Sequence, residues 1–326
     1  MEPRIALPPT VSPVALRRCD SGMSVSAMAG SALGTTWRVR LVAHPATAID
    51  RLRATIDTRL ADIVAEMSQW KPDSLLSRFN RAPAGTWMTL PPDFATVLAT
   101  ALAIAERSDG AFDPTHGRAA ALLGHGAMTV AGAPTAAALD EARVAAGWRR
   151  LVWEPGRRRL RQPGGLWLDF SGIAKGFAVD AVADLLREQG FDDVLVDIGG
   201  ELVGRGLRPD GRPWWVDAEL PPGIVLPPLR IGLHDQAVAT SGDYVRRGHT
   251  IDPGTGRSLA SDVASVSVIH ASAMLADAWA TALTVQGPVA ALATATRDRL
   301  AVRIVRRERG RASETLSPAL HGMTEG

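Results

Sequence analysis

The sequence of 326 residues is long enough for one large domain or two modest ones, and its 46% hydrophobic and 21% charged residues are typical of a globular protein with a sizeable core. The net charge is +2, and no basic run with interleaved aromatic residues occurs, which argues against nucleic acid as a partner. The single cysteine, Cys19, excludes a disulfide within the chain and a cysteine-based metal site, and the lack of an 18-residue apolar run argues against an integral membrane segment.

The N-terminal residues 1–28 are predicted to form a mobile lead-in to a domain that covers 29–326. A secretory signal needs an uninterrupted apolar stretch of roughly 7–15 residues. Prolines interrupt the only apolar stretch near the start of this sequence. A cytoplasmic location is therefore expected, although a chain with one cysteine is also compatible with the periplasm.

Hydrophobic periodicity predicts helices and strands that do not alternate regularly along the chain. Ser272 is expected to cap one helix, and Gly190 and Gly287 are expected to end two of them. The elements are predicted within these ranges: strands in 35–43, 149–155, 158–170, 192–206, 213–220, 229–242, 263–271 and 300–316, and helices in 46–70, 91–108, 172–190 and 272–287. This irregular order indicates an α+β fold with two lobes around a shared cleft.

The stretch LDFSGIAKGFAVDAV at 168–182 changes from a β-prone run to a helix at Ser171-Gly172. It contains Lys175, one of two lysines in a chain that otherwise carries its positive charge on arginine. A helix N-terminus offers unpaired N–H groups to a phosphate, and a lysine one turn in adds a point charge. A plain strand–turn–helix junction with a solvated lysine explains the same pattern equally well.

Two oxygen-bearing residues, Asp277 and Thr281, lie four positions apart in MLADAWATAL and therefore on one helix face. A carboxylate, a hydroxyl and nearby carbonyls make a hard-oxygen set that suits Mg²⁺. The alternative is that Asp277 faces solvent while Thr281 bonds back to a helix carbonyl.

Further candidates lie in polar segments. The loop 239–256 contains His249, whose side chain suits a general base, although a lone loop histidine is more often plain surface. Trp70 and Phe112 follow helices and can enclose a flat ring, although core packing is the commoner role for such residues.

Taken together, these segments resemble the FAD:protein FMN transferase family, also called the ApbE family. The resemblance covers roughly residues 30–320, in the order ALGTTW, MSQWKPDSLLSRFN, SDGAFDPTHG, LDFSGIAKGFAVD, LVDIGGEL, ATSGDYVRRGHTIDPGTG and AMLADAWATAL. It implies a two-lobed fold with mixed sheets and a central flavin-binding cleft. It also implies Mg²⁺-dependent transfer of FMN from the substrate FAD to a Thr or Ser hydroxyl of an acceptor flavoprotein, with a phosphoester formed and AMP released.

The resemblance also implies roles for particular residues. It places the metal on the backbone carbonyl of Gly172 and on the side chains of Asp277 and Thr281, and it makes Asp277 a catalytic residue as well. His249, in the position of the motif H-x-x-D-P-x-T-G, would help to deprotonate the acceptor hydroxyl. The implied FAD contacts are Leu33, Trp70, Ala111, Phe112, Asp113, Asp169, Lys175 and Ile251.

Two alternatives to transfer remain open. A Mg²⁺-dependent FAD pyrophosphatase would use the same residues with water as the acceptor. A non-catalytic flavin-binding protein is disfavoured because Asp277 and Thr281 are both present. The chain shows no acceptor motif of its own, so the modified protein is expected to be a partner, and the exported members of the family make a periplasmic or inner-membrane-associated location an alternative to the cytoplasm.

Overall fold

The computed structural model describes residues 2–17, 22–127, 132–244, 248–308 and 311–324, so Cys19 and part of the His249 loop lie outside the described residues. The helices in these ranges are α1 (Pro13–Arg17), α2 (Ile49–Met67), α3 (Leu75–Arg81), α4 (Pro92–Arg107), α5 (Gly117–Leu122), α6 (Ala136–Ala145), α7 (Ala174–Glu188), α8 (Ala273–Arg297) and α9 (Pro318–Thr324). The strands are β1 (Arg4–Ala6), β2 (Ser24–Ala32), β3 (Thr35–Ala43), β4 (Trp87–Thr89), β5 (Val152–Glu154), β6 (Arg159–Arg161), β7 (Val194–Ile198), β8 (Glu201–Arg205), β9 (Trp214–Asp217), β10 (Leu229–Leu233), β11 (Gln236–Gly242), β12 (Ile251–Asp252), β13 (Arg257–Ser258), β14 (Val263–His270), β15 (Ala301–Glu308) and β16 (Arg311–Leu316).

The main sheet has the strand order β16-β15-β14-β11-β8-β7-β3-β2, and its neighbouring strands are antiparallel. Strand β3 matches the predicted range 35–43, and its alternating pattern buries Trp37, Val39 and Leu41 on one face. One buried core joins this face to the apolar sides of α2, α4, α7 and α8. The predicted α+β class is confirmed, while the two lobes and the central cleft stay predictions.

The smaller sheets have the orders β1-β10-β9, β4-β6-β5 and β12-β13. Strand β1 runs parallel to β10, with Arg4 opposite Leu229 and Ala6 opposite Ile231. The predicted boundary at residue 28 falls inside β2, and the division into a lead-in and a domain stays a prediction.

Two predicted strands are each divided in the structure. Residues 192–206 form the hairpin β7–β8 because Gly199 and Gly200 take φ values of +67° and +101° between them. Residues 229–242 form β10 and β11, which belong to different sheets and are separated by Asp235 at φ +53°.

Helix α8 begins as predicted, with the side chain of Ser272 accepting a hydrogen bond from the backbone N–H of Leu275. Gly287 interrupts it at φ +73°, and a second helical segment starts at Pro288 and continues to Arg297. None of the helices in the described ranges combines the length and the hydropathy that a membrane span requires.

Candidate functional site

The start of α7 lies against the first turns of α8, and glycines permit this close approach. A β-carbon on Gly172 would lie 2.7 Å from Oγ1 of Thr281. A β-carbon on Gly176 would lie 2.3 Å from the carbonyl oxygen of Ala273 and 2.8 Å from Cβ of Asp277. The crossing of the two helices therefore brings together Gly172, Asp277 and Thr281, the residues implied as metal ligands.

The side chain of Asp277 is buried at this crossing, since the residue is only 6% exposed. Its Oδ2 accepts a hydrogen bond of 3.0 Å from the backbone N–H of Gly176. Among the described residues no hydrogen bond to Oδ1 is recorded. Burial raises the pKa of Asp277, whereas the ammonium of Lys175 and the Gly176 N–H act in the opposite direction. A nearby cation stabilises a carboxylate in this position.

The hydroxyl of Thr281 differs from that of the next threonine along α8. Thr284 is buried and donates a hydrogen bond of 2.8 Å to the carbonyl oxygen of Ala280, the back-bonding that helical threonines commonly make. No such bond is recorded for Thr281 in the described part of the chain. Its hydroxyl therefore retains its capacity to bind a ligand.

The composition of this site fits Mg²⁺, which accepts one or two carboxylates together with other oxygen ligands. The described ranges contain no group of three or more His, Cys, Asp or Glu residues placed to hold a metal ion. The residues at the crossing offer one carboxylate, one hydroxyl and a backbone carbonyl, so they do not form a cluster of that kind. Oδ1 of Asp277 and the hydroxyl of Thr281 are both oxygen atoms of the type that Mg²⁺ accepts as ligands.

Lys175 belongs to the first turn of α7, and its ammonium pairs with Oε1 of Glu201 at the start of β8. The Lys175 side chain keeps 34% exposure, whereas that of Glu201 keeps 4%. Burial alone would lower the pKa of Lys175, but the carboxylates of Glu201 and Asp277 outweigh it and raise that pKa. Lys175 is therefore a permanent positive charge inside a group of acidic residues.

Glu201 and Glu219 place further negative charge beside Lys175. Burial raises the pKa of Glu201, but the Lys175 ammonium opposes this effect, and its direct contact with Oε1 favours the charged carboxylate. Oε2 of Glu201 is buried and has no hydrogen-bond partner among the described residues. Burial together with the charge and the hydrogen bond of Glu219 raises the pKa of Tyr244 above its ordinary range. The hydroxyl of Tyr244 therefore stays protonated beside this acidic group.

Asp169 stabilises the turn that leads into α7. Its Oδ1 accepts hydrogen bonds of 2.8 Å from the backbone N–H and 2.5 Å from the hydroxyl of Ser171. Nε2 of Gln69 donates a hydrogen bond of 3.0 Å to the same hydroxyl. Trp70, the next residue, is 55% exposed, so its ring is accessible at the edge of this turn.

The segment around Ala111, Phe112 and Asp113 is held by its own contacts. Phe112 is 4% exposed and belongs to the main core, as the packing interpretation predicts. Asp113 accepts hydrogen bonds from the N–H and hydroxyl of Thr115, at 2.9 Å and 2.6 Å, and one of 3.1 Å from the N–H of Trp148. The side chain of Asp113 therefore fixes the loop, and a role of this segment in binding FAD stays a prediction.

His249 lies in a loop that follows β11. Its Nδ1 is 3.6 Å from Oδ1 of Asp243, and its ring lies edge-on to that of His125, with 6.5 Å between the ring centroids. The side chains of His249 and Asp243 are 36% and 45% exposed, so the pair is accessible from solvent.

Leu33 and Ile251 occupy positions set by their backbones. Leu33 and Gly34 form the turn between β2 and β3 with φ values of +54° and +73°, and Leu33 packs against the main core. Ile251 pairs with Ser258 between β12 and β13. The implied contact of both residues with FAD stays a prediction.

Three polar residues of this region were not predicted as site residues: Gln69, Glu201 and Glu219. The segment LVDIGGEL could have indicated Glu201. A Gly-Gly pair favours a hairpin turn, so the carboxylate that directly follows it begins the next strand at a defined position. Gln69 and Glu219 show no comparable local pattern, since their partners come from distant parts of the chain.

Comparison with known proteins identifies the family and the fold. The model of the ApbE family matches residues 33–304. A FAD:protein FMN transferase of Vibrio cholerae is 34% identical over 303 residues, which cover 89% of this chain and 90% of the relative. The FAD:protein FMN transferase of Escherichia coli K12 is 31% identical over 309 residues, which cover 90% of this chain and 88% of the relative.

Solved structures agree with the sequence comparison. The flavin transferase ApbE of Vibrio cholerae superposes with a TM-score of 0.86 at 33% identity, covering 92% of this chain and 99% of its own. The ApbE protein of Thermotoga maritima gives a TM-score of 0.81 at 26% identity, again over 92% of this chain and 99% of its own. The chain belongs to the ApbE family.

Proposed function

We propose that this protein transfers FMN from FAD to a Thr or Ser hydroxyl of an acceptor flavoprotein in a Mg²⁺-dependent reaction. The acceptor oxygen forms a bond to the FMN-side phosphorus, and the bond from that phosphorus to the bridging oxygen breaks. AMP leaves with the bridging oxygen, and the hydroxyl proton passes to His249. The product is a protein–FMN phosphoester.

The observation that carries this proposal is the contact between the start of α7 and α8. There the buried carboxylate of Asp277 lies against Gly176, and the hydroxyl of Thr281, which makes no hydrogen bond among the described residues, lies against Gly172. When bound there, Mg²⁺ would supply charge neutralisation for the phosphates of FAD. Phosphoryl transfer depends mainly on positioning and charge, and these residues provide both.

Other residues hold the reactants. The Lys175 ammonium and the start of α7 offer positive charge to the pyrophosphate of FAD. The exposed ring of Trp70 offers a stacking surface for a flat ring system. Asp243, 3.6 Å from Nδ1 of His249, stabilises the imidazolium that forms when His249 takes the proton.

The reaction is tested by mass spectrometry on the full chain mixed with FAD, Mg²⁺ and a flavoprotein domain that bears a Thr acceptor, with AMP followed in parallel. The expected result is an FMN-sized mass gain on the acceptor that EDTA abolishes. Asp277→Ala should abolish the gain while the fold survives, whereas Asp184→Asn, on the exposed side of α7, should preserve it.

The other outcomes identify the alternatives. AMP release without a mass gain on any hydroxyl-bearing acceptor would indicate a FAD pyrophosphatase, with water as the acceptor. FAD that stays bound without AMP release would indicate a flavin-binding protein. Full activity of Asp277→Ala in Mg²⁺ would refute the metal assignment.

A further inference from the structure

The carboxylate of Glu201 has a partner at only one of its two oxygens among the described residues. Oε1 pairs with the Lys175 ammonium, while Oε2 is buried without a hydrogen bond among the described residues. By contrast, Asp180 of α7 accepts hydrogen bonds at the start of α8, from Ser272 Oγ at 2.6 Å and from the N–H groups of Ala273 and Met274 at 3.0 Å. Both oxygens of Asp180 are therefore bonded, whereas the buried Oε2 of Glu201 is left without a partner among the described residues.

The backbone places Glu201 with little freedom. Gly199 and Gly200 form the two-residue turn between β7 and β8, and Ile198 pairs directly with Glu201 across it. A β-carbon on Gly199 would lie 2.8 Å from Cγ2 of Thr35, so the turn also packs closely against β3. The sheet register therefore determines where the Glu201 carboxylate meets Lys175.

Lys175 has a second carboxylate nearby, that of Asp277. The Asp277 carboxylate acts electrostatically on Lys175, yet among the described residues the ion pair of Lys175 is with Glu201 and not with Asp277. The backbone also links Lys175 to Asp277, because the N–H of Gly176, the residue after Lys175, donates a hydrogen bond to the Asp277 carboxylate.

We infer that Glu201 is a positioning residue that holds the Lys175 ammonium away from Asp277, so that the Asp277 carboxylate keeps its negative charge available for a divalent cation. This inference rests on the proposed function, since it takes Asp277 as a ligand of that cation. The pair Lys175–Glu201 is neutral overall, and Asp277 then contributes one net negative charge. Without the charge of Glu201, Lys175 would neutralise Asp277 instead.

The inference is tested by titrating the full chain with Mn²⁺ alone and following free Mn²⁺ by electron paramagnetic resonance. Glu201→Gln keeps the shape of the side chain and a hydrogen-bond acceptor for Lys175 but removes the charge. Because unit charges a few ångströms apart in a partly buried site interact strongly, the variant should lose Mn²⁺ affinity by roughly tenfold or more.

The decisive variant is the double substitution Lys175→Met with Glu201→Gln. This double variant lacks the competing ammonium, so its Mn²⁺ affinity should return to within about threefold of that of the original chain. A threefold change in Kd corresponds to a difference in binding free energy of less than about 1 kcal/mol. Asp217→Asn is the matched control, since it removes one carboxylate from an exposed pair with Arg230 and should leave the affinity unchanged.

These results distinguish the role of Glu201 from the metal assignment on which it rests. An unchanged Mn²⁺ affinity in Glu201→Gln refutes the inference while the proposed function stands. A double variant as weak as Glu201→Gln also refutes it, because Glu201 would then act on the cation directly and not through Lys175. An original chain that binds no Mn²⁺ refutes the metal assignment of the proposed function itself and the inference with it.

Discussion

Gly172 and Thr281 are in direct contact, and a β-carbon on Gly172 would lie 2.7 Å from the Thr281 hydroxyl oxygen. Gly172→Ala must therefore push the hydroxyl aside or move α7 away from α8. We expect a loss of FMN transfer of at least about tenfold, since displacing a ligating or positioning group from a reactive geometry has large effects. The measurement is the rate of FMN gain by the acceptor at saturating FAD.

Gly156→Ala provides the control for this substitution, because a β-carbon at Gly156 has no heavy atom within 4 Å. It should leave transfer unchanged. Equal transfer rates for Gly172→Ala and Gly156→Ala would show that the contact with Thr281 has no part in the reaction.

Substitutions of Thr281 and Thr284 distinguish a hydroxyl that binds the metal from one that stabilises the helix. Thr281→Val should abolish most Mg²⁺-dependent transfer while the free energy of unfolding changes little, because no hydrogen bond of that hydroxyl is recorded among the described residues. Thr284→Val should lower the free energy of unfolding by about 1 kcal/mol through loss of its bond to Ala280, with transfer preserved. Urea unfolding and transfer assays on both variants measure the two effects, and the opposite pattern would exclude Thr281 as a ligand.

Local sequence patterns predicted the elements that carry the site but not its connections. The bounds of β3 and the cap of α8 follow from alternation and from Ser272, which are properties of adjacent residues. The pairing of Lys175 with Glu201 joins a helix to a strand and depends on the register of β7 and β8, which no local pattern reports. Likewise, periodicity places Thr281 and Thr284 on the same helix but does not distinguish the back-bonded hydroxyl from the other.

Packing also decided between interpretations that the sequence left open. Asp113 accepts a hydrogen bond from the N–H of Trp148, which is 35 residues away, so this anchor of the loop could not be read from the motif. Phe112 and Trp70 look alike in sequence, as aromatic residues beyond helix ends, yet one is 4% exposed and the other 55%. Only the tertiary structure separates a core ring from an accessible one.

His249 is expected to act on the acceptor and not on FAD. His249→Asn should lower kcat by roughly 10²–10⁴-fold, the range for loss of a general base, with the affinity for FAD unchanged. Asp243→Asn should cause a smaller loss, because it removes only the charge 3.6 Å from Nδ1 of His249. Single-turnover transfer and FAD fluorescence quenching separate the two effects, and a normal kcat in His249→Asn would exclude its role as a base.

His270 makes the stability of the fold depend on pH. Its Nδ1 accepts a hydrogen bond of 3.1 Å from the N–H of Ser272, just before α8. Burial lowers the pKa of His270, an effect that Asp180 opposes and Arg107 reinforces. Because the pKa in the folded state lies below the unfolded value of about 6.5, the unfolded state takes up the proton first as the pH falls.

The free energy of unfolding should therefore be insensitive to this group above about pH 6.5 and should decrease below that pH, by at most about 1.4 kcal/mol per pH unit, until the folded pKa is passed. His270→Gln has no titrating ring, so its stability should lack this contribution. Urea unfolding of both proteins between about pH 5 and pH 8 measures the difference. Parallel stability curves for the two proteins would mean that His270 titrates alike in the folded and unfolded states, whereas curves that converge as the pH falls confirm that the folded protein resists its protonation.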